Sequence, residues 1–285
     1  LKIKKYIMDY MFIIRGGNME RILVLGTGAG MSTNCYNACF LLENNEKYLL
    51  VDTGMGIGVL KQIKDVGVNI TKIHDVFISH KHIDHLLGIF PIIRMITSLM
   101  GAGVYEGELH IYCDKEIKEL VDNFFIPTSY PHLIKMYNER VVFHDLHNNE
   151  KFNIIGYEIE ALDMYSAECN QFGFQTILNN EKTLTFMGDV PCNEKLHDKI
   201  RNTDWVLHEV FCLESEEAKF KAREKCHSTV KDVTEKMEML NVKNLVMWHT
   251  MDNNIPQRKE LYTKEAKEFF SGNVYVPNDL EKIEL

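Results

Sequence analysis

The chain has 285 residues, of which 45% are hydrophobic, so it is long enough to bury a full core as one large domain. Its formal net charge of −9 excludes a general attraction of the whole surface to nucleic acid, and we expect no general DNA binding. Seven cysteines without a Cys-x-x-Cys pair argue against a disulfide framework and favour a reducing, cytoplasmic compartment.

The N-terminal residues combine a basic start with an apolar stretch that ends at Ile14. Asp9 interrupts this stretch and no small-residue cleavage site follows it, which argues against a signal peptide. We predict that residues 1–18 are an extension outside the domain and that residues 19–285 form a single domain.

No apolar run reaches the roughly 20 residues that cross a bilayer. The longest, Leu86–Met100, is broken by Pro91 and Arg94 and predicts a buried helix. We therefore expect no membrane partner.

The first strand pattern, Arg21–Leu25, runs into the glycine-rich turn Gly26–Gly30. A dinucleotide-binding fingerprint would need glycine where Met31 stands, with a helix after it. Two apolar runs, Ala38–Leu42 and Lys47–Val51, follow instead and flank a polar turn, which predicts a hairpin. The dinucleotide-binding interpretation therefore fails.

The rest of the chain alternates helical and strand patterns, which favours an α/β layered sheet. Helical patterns cover Gly56–Val66, Leu86–Met100, Asp114–Phe125 and Gln257–Phe270, and strand patterns cover Leu109–Cys113, Val141–Phe143, Phe152–Leu162, Phe172–Leu178 and Leu184–Met187. The aromatic stretch Pro127–Tyr137 predicts a loop that either lines a substrate cleft or covers the surface.

A strand pattern, Val76–Ser79, leads directly into His80-Lys81-His82-Ile83-Asp84-His85. Three imidazoles and a carboxylate within six residues are donors that suit zinc, manganese or iron. Alternate side chains of an extended backbone share a face, so His80 and His82 can bind one ion together. Asp84 and His85 can then turn to a second ion, or Asp84 can face a metal-bound water. A chance cluster of histidines fits this spacing poorly.

This run resembles the signature of the metallo-β-lactamase superfamily. The resemblance implies an α/β fold, a four-layer αββα sandwich whose metal ions lie at strand ends between two mixed sheets. It implies that Asp52 of Asp52-Thr53-Gly54 supports the metal-binding loop. Asp189, preceded by Gly188, matches the superfamily carboxylate that bridges two ions, since each of its oxygens can bind one ion.

Three C-terminal motifs are similar to those of the ribonuclease Z branch of that superfamily. They are His208-Glu209 at a strand end, His227-Ser228-Thr229 at a helix start and His249 after a further strand. The resemblance implies that His249 binds the second ion. It implies that His227 contacts the phosphate or gives a proton to the leaving oxygen, with Glu209 as its acidic partner. A helix-start residue is the alternative for His227, and we interpret His208 as a buried strand histidine.

Two features depart from that branch. The branch has a further metal-binding histidine before a Gly-aromatic pair, here Gly173-Phe174, but residues 162–170 contain no histidine. Asp163, Glu168 or Cys169 could replace it, or else the first site is weakened. The basic arm that grips tRNA in ribonuclease Z is also missing, because the stretch between Gly173 and the Gly-Asp motif is too short.

A basic cluster immediately precedes His227. It consists of Lys219, Lys221, Arg223 and Lys225. The cluster could hold a phosphate-rich substrate near the metal ions. Alternatively it is a solvated helix, in which Glu217 and Lys221 have the spacing of a supporting ion pair.

These features predict a metal-dependent hydrolase, most simply a phosphodiesterase resembling ribonuclease Z, with Asp84, His227 and Glu209 as catalytic residues. Two divalent ions, zinc or else manganese or iron, would be held by six residues and would activate water. These residues are His80, His82, Asp84, His85, Asp189 and His249. The expected substrate is a small phosphodiester or RNA. A tRNA 3′-processing endonuclease, a hydrolase of another ester, lactone or thioester, a degenerate non-catalytic metal-binding protein and a homodimer remain open alternatives.

Overall fold

The computed structural model describes residues 20–285, which contain fourteen strands and nine α-helices. The strands are β1 (Glu20–Gly26), β2 (Cys39–Asn44), β3 (Lys47–Val51), β4 (Ile73–Phe77), β5 (Leu109–Cys113), β6 (Val141–Asp145), β7 (Lys151–Ile154), β8 (Tyr157–Asp163), β9 (Phe172–Ile177), β10 (Thr183–Phe186), β11 (Trp205–Glu209), β12 (Asn244–Trp248), β13 (Asn273–Tyr275) and β14 (Lys282–Glu284). The predicted N-terminal extension, residues 1–18, lies outside the described residues, and its separation from the domain stays a prediction.

The strands form two mixed sheets of seven strands each. The first has the order β14-β1-β2-β3-β4-β5-β6 and the second the order β13-β12-β11-β10-β9-β8-β7. Strands β3 to β6 are parallel in the first sheet, and β10 to β13 are parallel in the second. Each sheet therefore has a parallel part, whose carboxyl ends lie at one edge.

Helices cover the outer face of each sheet. They are α1 (Gly58–Asp65), α2 (Ile83–Leu86), α3 (Ile89–Gly101), α4 (Lys115–Thr128), α5 (Pro131–Arg140), α6 (His197–Ile200), α7 (Glu217–Phe220), α8 (Val230–Met239) and α9 (Arg258–Phe269). Buried residues of α1, α3, α4 and α5 pack on the first sheet, and those of α8 and α9 pack on the second. The predicted αββα sandwich is confirmed.

Period-two alternation of apolar side chains explains the layering. Leu23 and Leu25 of β1 pack towards the helices, whereas Ile22 and Val24 pack towards the other sheet. Between the sheets, the ring of Phe40 lies 5.0 Å from that of Trp248 and 5.5 Å from that of Phe186, both edge to face. These contacts join the two sheets into a rigid base for the strand ends.

Two sequence predictions were wrong in detail. The stretch 127–137 is largely helical: α4 continues to Thr128, and α5 begins at Pro131, where a proline at the first helical position loses no hydrogen bond. The predicted strand 152–162 is a hairpin of β7 and β8, since Ile155 and Gly156 adopt positive φ angles of 50° and 91°.

The apolar stretch predicted as a buried helix corresponds to α3. Within the described part of the chain, Ile83–Gly101 is long and apolar enough to cross a membrane by length and composition. Its most apolar window is 56% buried inside the protein, and the side chains of Ile92, Ile93 and Ile96 belong to the core against the first sheet. A buried core helix meets the same criterion of length and apolarity.

Candidate metal centre

The predicted site residues follow the carboxyl ends of parallel strands. His80 lies after β4, Asp189 after β10 and His249 after β12, while Glu209 is the last residue of β11. The backbone N–H of Phe172 donates to the carbonyl of Ser79 at 2.9 Å, which ties the two sheets together beside the histidine run. Segments far apart in sequence therefore meet at one edge of the sandwich.

Four donor atoms form what we term the buried position. They are Asp84 Oδ2, His85 Nε2, Asp189 Oδ2 and His249 Nε2, and four distances among them lie between 3.2 and 3.4 Å. A tetrahedral site with ligands at about 2.0–2.1 Å has donor–donor edges of roughly 3.3–3.4 Å. These four distances match edges of a tetrahedral site for an ion the size of zinc.

His80, His82 and the other oxygen of Asp189 form what we term the outer position. His80 Nε2 lies 2.9 Å from His82 Nδ1 and 3.6 Å from Asp189 Oδ1. His80 is fully buried, but the side chain of His82 is 44% exposed. The donor atoms of these three residues lie close enough together to bind one ion. Asp189 Oδ2 lies beside the donors of the buried position, so the Asp189 carboxylate lies between the two candidate ion positions. His227 also lies within donor spacing of Asp189 and His249.

Asp52 orients histidines of both positions. Its Oδ2 accepts from Ser79 Oγ at 2.8 Å and lies 2.8 Å from His85 Nδ1, while Oδ1 accepts from the Ser79 N–H. Ser79 Oγ in turn lies 2.9 Å from His80 Nδ1. Because Asp52 and Ser79 engage the Nδ1 atoms, the Nε2 atoms of His85 and His80 are left to face an ion.

Backbone strain accompanies these contacts. Asp52 and His249 adopt left-handed φ angles of 55° and 54°. Such conformations cost an L-residue roughly 1–2 kcal/mol. The side chains of both residues point into the centre, and strained backbone of this kind often occurs at functional sites.

Gln171 is the buried residue that the sequence did not single out. Its Nε2 donates to Asp189 Oδ1 at 2.6 Å and lies 3.3 Å from His80 Nδ1. Gly188 makes room for it: Gly188 has φ +65°, and a Cβ there would lie 3.0 Å from Gln171 Nε2. The residue lies just beyond the window 162–170 in which a replacement ligand was expected.

The three residues proposed as replacement ligands do not join a described donor group. Glu168 comes nearest, with Oε2 3.9 Å from His82 Nε2, on the nitrogen that does not face His80. Asp163 accepts from the N–H of Tyr165 at 2.7 Å, which fixes a turn. Cys169 is half-buried, and burial raises the pKa of its thiol.

The electrostatics of the buried position favour a cation. Burial opposes charge on Asp84 and Asp189, yet the surrounding imidazoles lower the pKa of both carboxyls. Burial also opposes charge on His85, yet Asp84, Asp52 and Asp189 raise its pKa well above the ordinary value. His85 Nε2 is buried without a hydrogen-bond partner. A divalent ion would satisfy this atom and both carboxylates, so the residues fit such an ion.

His80 differs from His85 in its electrostatics. Burial lowers the pKa of His80 to about 3, although Asp189 opposes that shift. Its ring is therefore neutral at physiological pH, which is the form that binds metal ions.

His227 lies beside the centre and contacts Glu209. Glu209 accepts from the Ser228 N–H at 2.7 Å with Oε1, and its Oε2 lies 3.6 Å from His227 Nδ1. Burial opposes charge on His227, but Glu209 raises its pKa above the ordinary value. The ring stacks on Phe211 at 4.5 Å. Thr229, not His227, caps α8 through a capping box.

A cavity of about 550 Å³ lies beside His227. His208, Cys192 and Lys236 also line it. His208 is fully buried, as the sequence predicted; its Nδ1 lies 2.7 Å from the Glu209 carbonyl, and burial lowers its pKa.

The glycine-rich turn packs over the metal centre. A Cβ on Gly30 would lie 3.5 Å from Asp84 Oδ2, and the Ala29 N–H donates to the Thr250 carbonyl. Asp279 holds the same turn from the C-terminal end of the chain, because its carboxylate accepts from Thr27 Oγ1 at 2.8 Å and from the Tyr36 N–H at 2.6 Å. The turn thus shapes the site instead of binding a dinucleotide.

The predicted basic cluster is divided among different roles. Arg223 forms ion pairs with Glu214 and Asp232, and Lys221 pairs with Glu224 at 3.0 Å, not with Glu217. Lys225 Nζ lies 5.7 Å from the ring of Phe211, the residue on which His227 stacks. Arg223 is the member of the cluster that lines the same cavity as His227.

Comparison with known sequences places the chain in a known family. The family described as "Anti-Pycsar protein Apyc1" matches residues 20–265. Ribonuclease Z of Bacillus velezensis is 26% identical to the chain over an alignment that covers 80% of this chain and 87% of that protein. The ribonuclease Z-like resemblance noted in the motifs is confirmed.

Solved structures agree with the fold. The metallo-β-lactamase fold protein YhfI from Bacillus subtilis has a TM-score of 0.75 at 19% identity, covering 94% of this chain and 100% of that one. The short form of human tRNase Z has a TM-score of 0.69 at 17% identity, covering 93% and 97%. At these identities the likeness establishes the fold alone.

Proposed function

We propose that this chain, which belongs to the family of the anti-Pycsar protein Apyc1, hydrolyses a small phosphodiester. It also belongs to the ribonuclease Z-like branch of the metallo-β-lactamase superfamily. It is a metal-dependent hydrolase, and its fold implies divalent metal ions. The observation that carries the substrate proposal is the placement of the His227–Glu209 pair beside a carboxylate shared by two candidate ion positions.

Divalent ions at these positions would supply an acidified water and offset the negative charge of the phosphate oxygens. We propose zinc, because the donor spacing of the buried position suits its tetrahedral geometry. His80, His82 and Asp189 Oδ1 would hold one ion, and Asp84, His85, His249 and Asp189 Oδ2 the other. Manganese and iron remain alternatives for this donor set.

His227 supplies the proton that the leaving ester oxygen needs. Glu209 lies on the Nδ1 side of the ring, favours a proton there and raises the pKa of His227, so the doubly protonated ring can donate its second proton from Nε2. Stacking on Phe211 fixes the plane of the imidazole. A positioned proton donor of this kind contributes roughly 10²–10⁴-fold to the rate.

A small substrate fits the chain better than folded tRNA. The connection from β9 to β10 is residues 178–182, a short turn without room for a tRNA-gripping arm. The net charge of −9 also disfavours a large polyanion. The cavity beside His227 could hold one ester group of a small phosphodiester. We therefore rank tRNA 3′ processing below small-phosphodiester hydrolysis.

Metal analysis combined with a substrate panel tests the proposal. Purified protein is assayed for metal by elemental analysis and for hydrolysis of bis-p-nitrophenyl phosphate, cyclic mononucleotides, precursor tRNA, a lactone and a thioester. We expect bound divalent metal and turnover of the small phosphodiesters. Turnover of the lactone or thioester alone would overturn the substrate class. No turnover with any ester would favour the non-catalytic metal-binding alternative.

His227→Gln separates proton donation from ion binding. We expect turnover of an alkyl phosphodiester to fall by about 100-fold, whereas bis-p-nitrophenyl phosphate, whose leaving group needs no proton, falls much less. Metal content should not change. An equal fall on both substrates would contradict the proposed role.

We propose a second, biological role from the family match over residues 20–265: the chain acts as an anti-Pycsar protein. Cells that carry a Pycsar system would be tested with the wild type and with Asp189→Ala. Relief of the Pycsar response by the wild type only would support the role, and no relief by either would contradict it.

Cytoplasmic placement, a homodimer and the absence of a membrane partner stay predictions. Light scattering at several protein concentrations would determine the oligomeric state.

A further inference from the structure

We infer that the two positions bind ions with unequal affinity and in sequence, the buried position first, and that Gln171 is the positioning residue that retains the outer ion. This inference rests on the proposed dinuclear centre. It is specific to this chain, because residues 162–170 lack the histidine that the ribonuclease Z branch would supply to the outer position.

The donor sets of the two positions differ in number. The buried position has four protein donors, from Asp84, His85, Asp189 and His249, with spacings of 3.2–3.4 Å. The outer position has three protein donors, from His80, His82 and Asp189. Each additional carboxylate or imidazole donor raises the affinity for the ion and replaces one of its bound waters. The buried position should therefore fill first.

The donors also differ in burial. Asp84, His85, Asp189 and His249 are all buried, and His85 is fixed by Asp52. The outer position depends on His82, whose side chain is 44% exposed and whose Nε2 is 3.9 Å from Glu168, too far for a hydrogen bond. An exposed donor whose second ring nitrogen is not fixed by the nearby Glu168 carboxylate loses more conformational freedom on binding, which lowers the affinity of the outer position further.

Gln171 acts on the oxygen that only the outer position uses. Its amide donates to Asp189 Oδ1 at 2.6 Å, whereas Asp189 Oδ2 lies 3.2 Å from His85 Nε2 and 3.4 Å from His249 Nε2. Gln171 therefore fixes the rotation of the carboxylate that directs Oδ1 towards His80. Partners that orient a metal-binding carboxylate are typically worth 10–100-fold in metal affinity.

Gln171→Met tests the inference, because methionine keeps the length and bulk of the side chain but cannot donate. Zinc is titrated into metal-free protein in competition with a chromophoric chelator, so that both dissociation constants are measured. We expect two resolved steps in the wild type. In the variant we expect the weaker step to lose at least about tenfold in affinity, with the tighter step unchanged.

Gln175→Met is the matched control. Gln175 is in β9, and its amide donates to Thr185 Oγ1 and the Lys199 carbonyl, away from the centre. The Gln175→Met variant should leave both zinc-binding steps unchanged. Thermal unfolding of metal-free protein checks that both variants fold. If Gln171→Met does not fold, Gln171→Leu is used in its place.

Two equal zinc affinities in the wild type would overturn the inequality. Loss of both steps together, or no change in the weaker step, would overturn the role of Gln171. Because zinc titration needs no substrate, protein that binds two ions in sequence but hydrolyses no phosphodiester would refute only the proposed function.

Discussion

The buried and outer positions use the same residue types but are built differently. Donors of the buried position come from the short helix α2 and from the residues after β10 and β12, and they converge inside the fold. The outer position uses His80 and His82, which lie in the short loop between β4 and α2, together with one oxygen of Asp189. Tertiary structure, more than residue type, therefore decides how tightly an ion is bound, because donors that converge from separate segments are both buried and held at fixed spacing.

Asp189→Ala should have the largest effect, because Asp189 contributes an oxygen to both positions. We expect loss of high-affinity zinc binding at both and a fall in phosphodiester turnover of more than about 10³-fold, the upper end for loss of one electrostatic contact. Elemental analysis and steady-state kinetics measure the two effects. Asp198→Ala, at an exposed aspartate of α6, is the control. A variant that keeps two ions would show that Asp189 is not shared.

His249→Ala and His82→Ala form a pair that separates the positions. His249 Nε2 belongs to the buried donor set, and His82 to the outer one. We expect His249→Ala to weaken the tighter zinc step by roughly 100-fold, and His82→Ala to abolish only the weaker step. The reverse pattern in a zinc titration would show that the order of the two positions is wrong.

Asp52→Asn tests orientation without removing a donor. The Asp52 carboxylate engages His85 Nδ1 directly and His80 only through Ser79. We expect the tighter zinc step to weaken by about 10–100-fold, because an amide nitrogen near Nδ1 favours the wrong tautomer. Competition titration measures it, and unchanged affinity would mean that packing alone orients His85.

Gly188→Ala should have the smallest effect. Gly188 has φ +65°, and an added Cβ would lie 3.0 Å from Gln171 Nε2. We expect a loss of roughly 1–2 kcal/mol in unfolding free energy from the backbone conformation. The displaced amide should also weaken the outer zinc step. Chemical denaturation and zinc titration measure the two effects, and an unchanged outer step would argue against contact between these residues.

Much of the centre could be predicted from sequence, because its ligands stand directly after apolar strands. The run from His80 to His85, the Gly188-Asp189 pair and His249 each follow such a strand, and parallel strand ends share an edge. Glu209 and His227 required the family resemblance, since neither residue type nor spacing alone indicates that they meet.

Gln171 could not be predicted in this way. A glutamine before a strand is an ordinary sequence feature, and its contact with Asp189 depends on the antiparallel pairing of β9 with β10. The backbone bond from Phe172 to Ser79 then places it beside His80. Local patterns also missed the turn at Ile155 and Gly156, because apolar residues continue on both sides of it.

The contact of Asp279 with the glycine-rich turn links the edge that carries the metal centre to the segment before strand β14. Thr27 and Tyr36 are held by a carboxylate only a few residues before β14, which itself pairs with β1. Substitutions confined to residues 279–284 would therefore loosen the glycine-rich turn that packs over Asp84, and such a variant would behave like one altered at the metal centre.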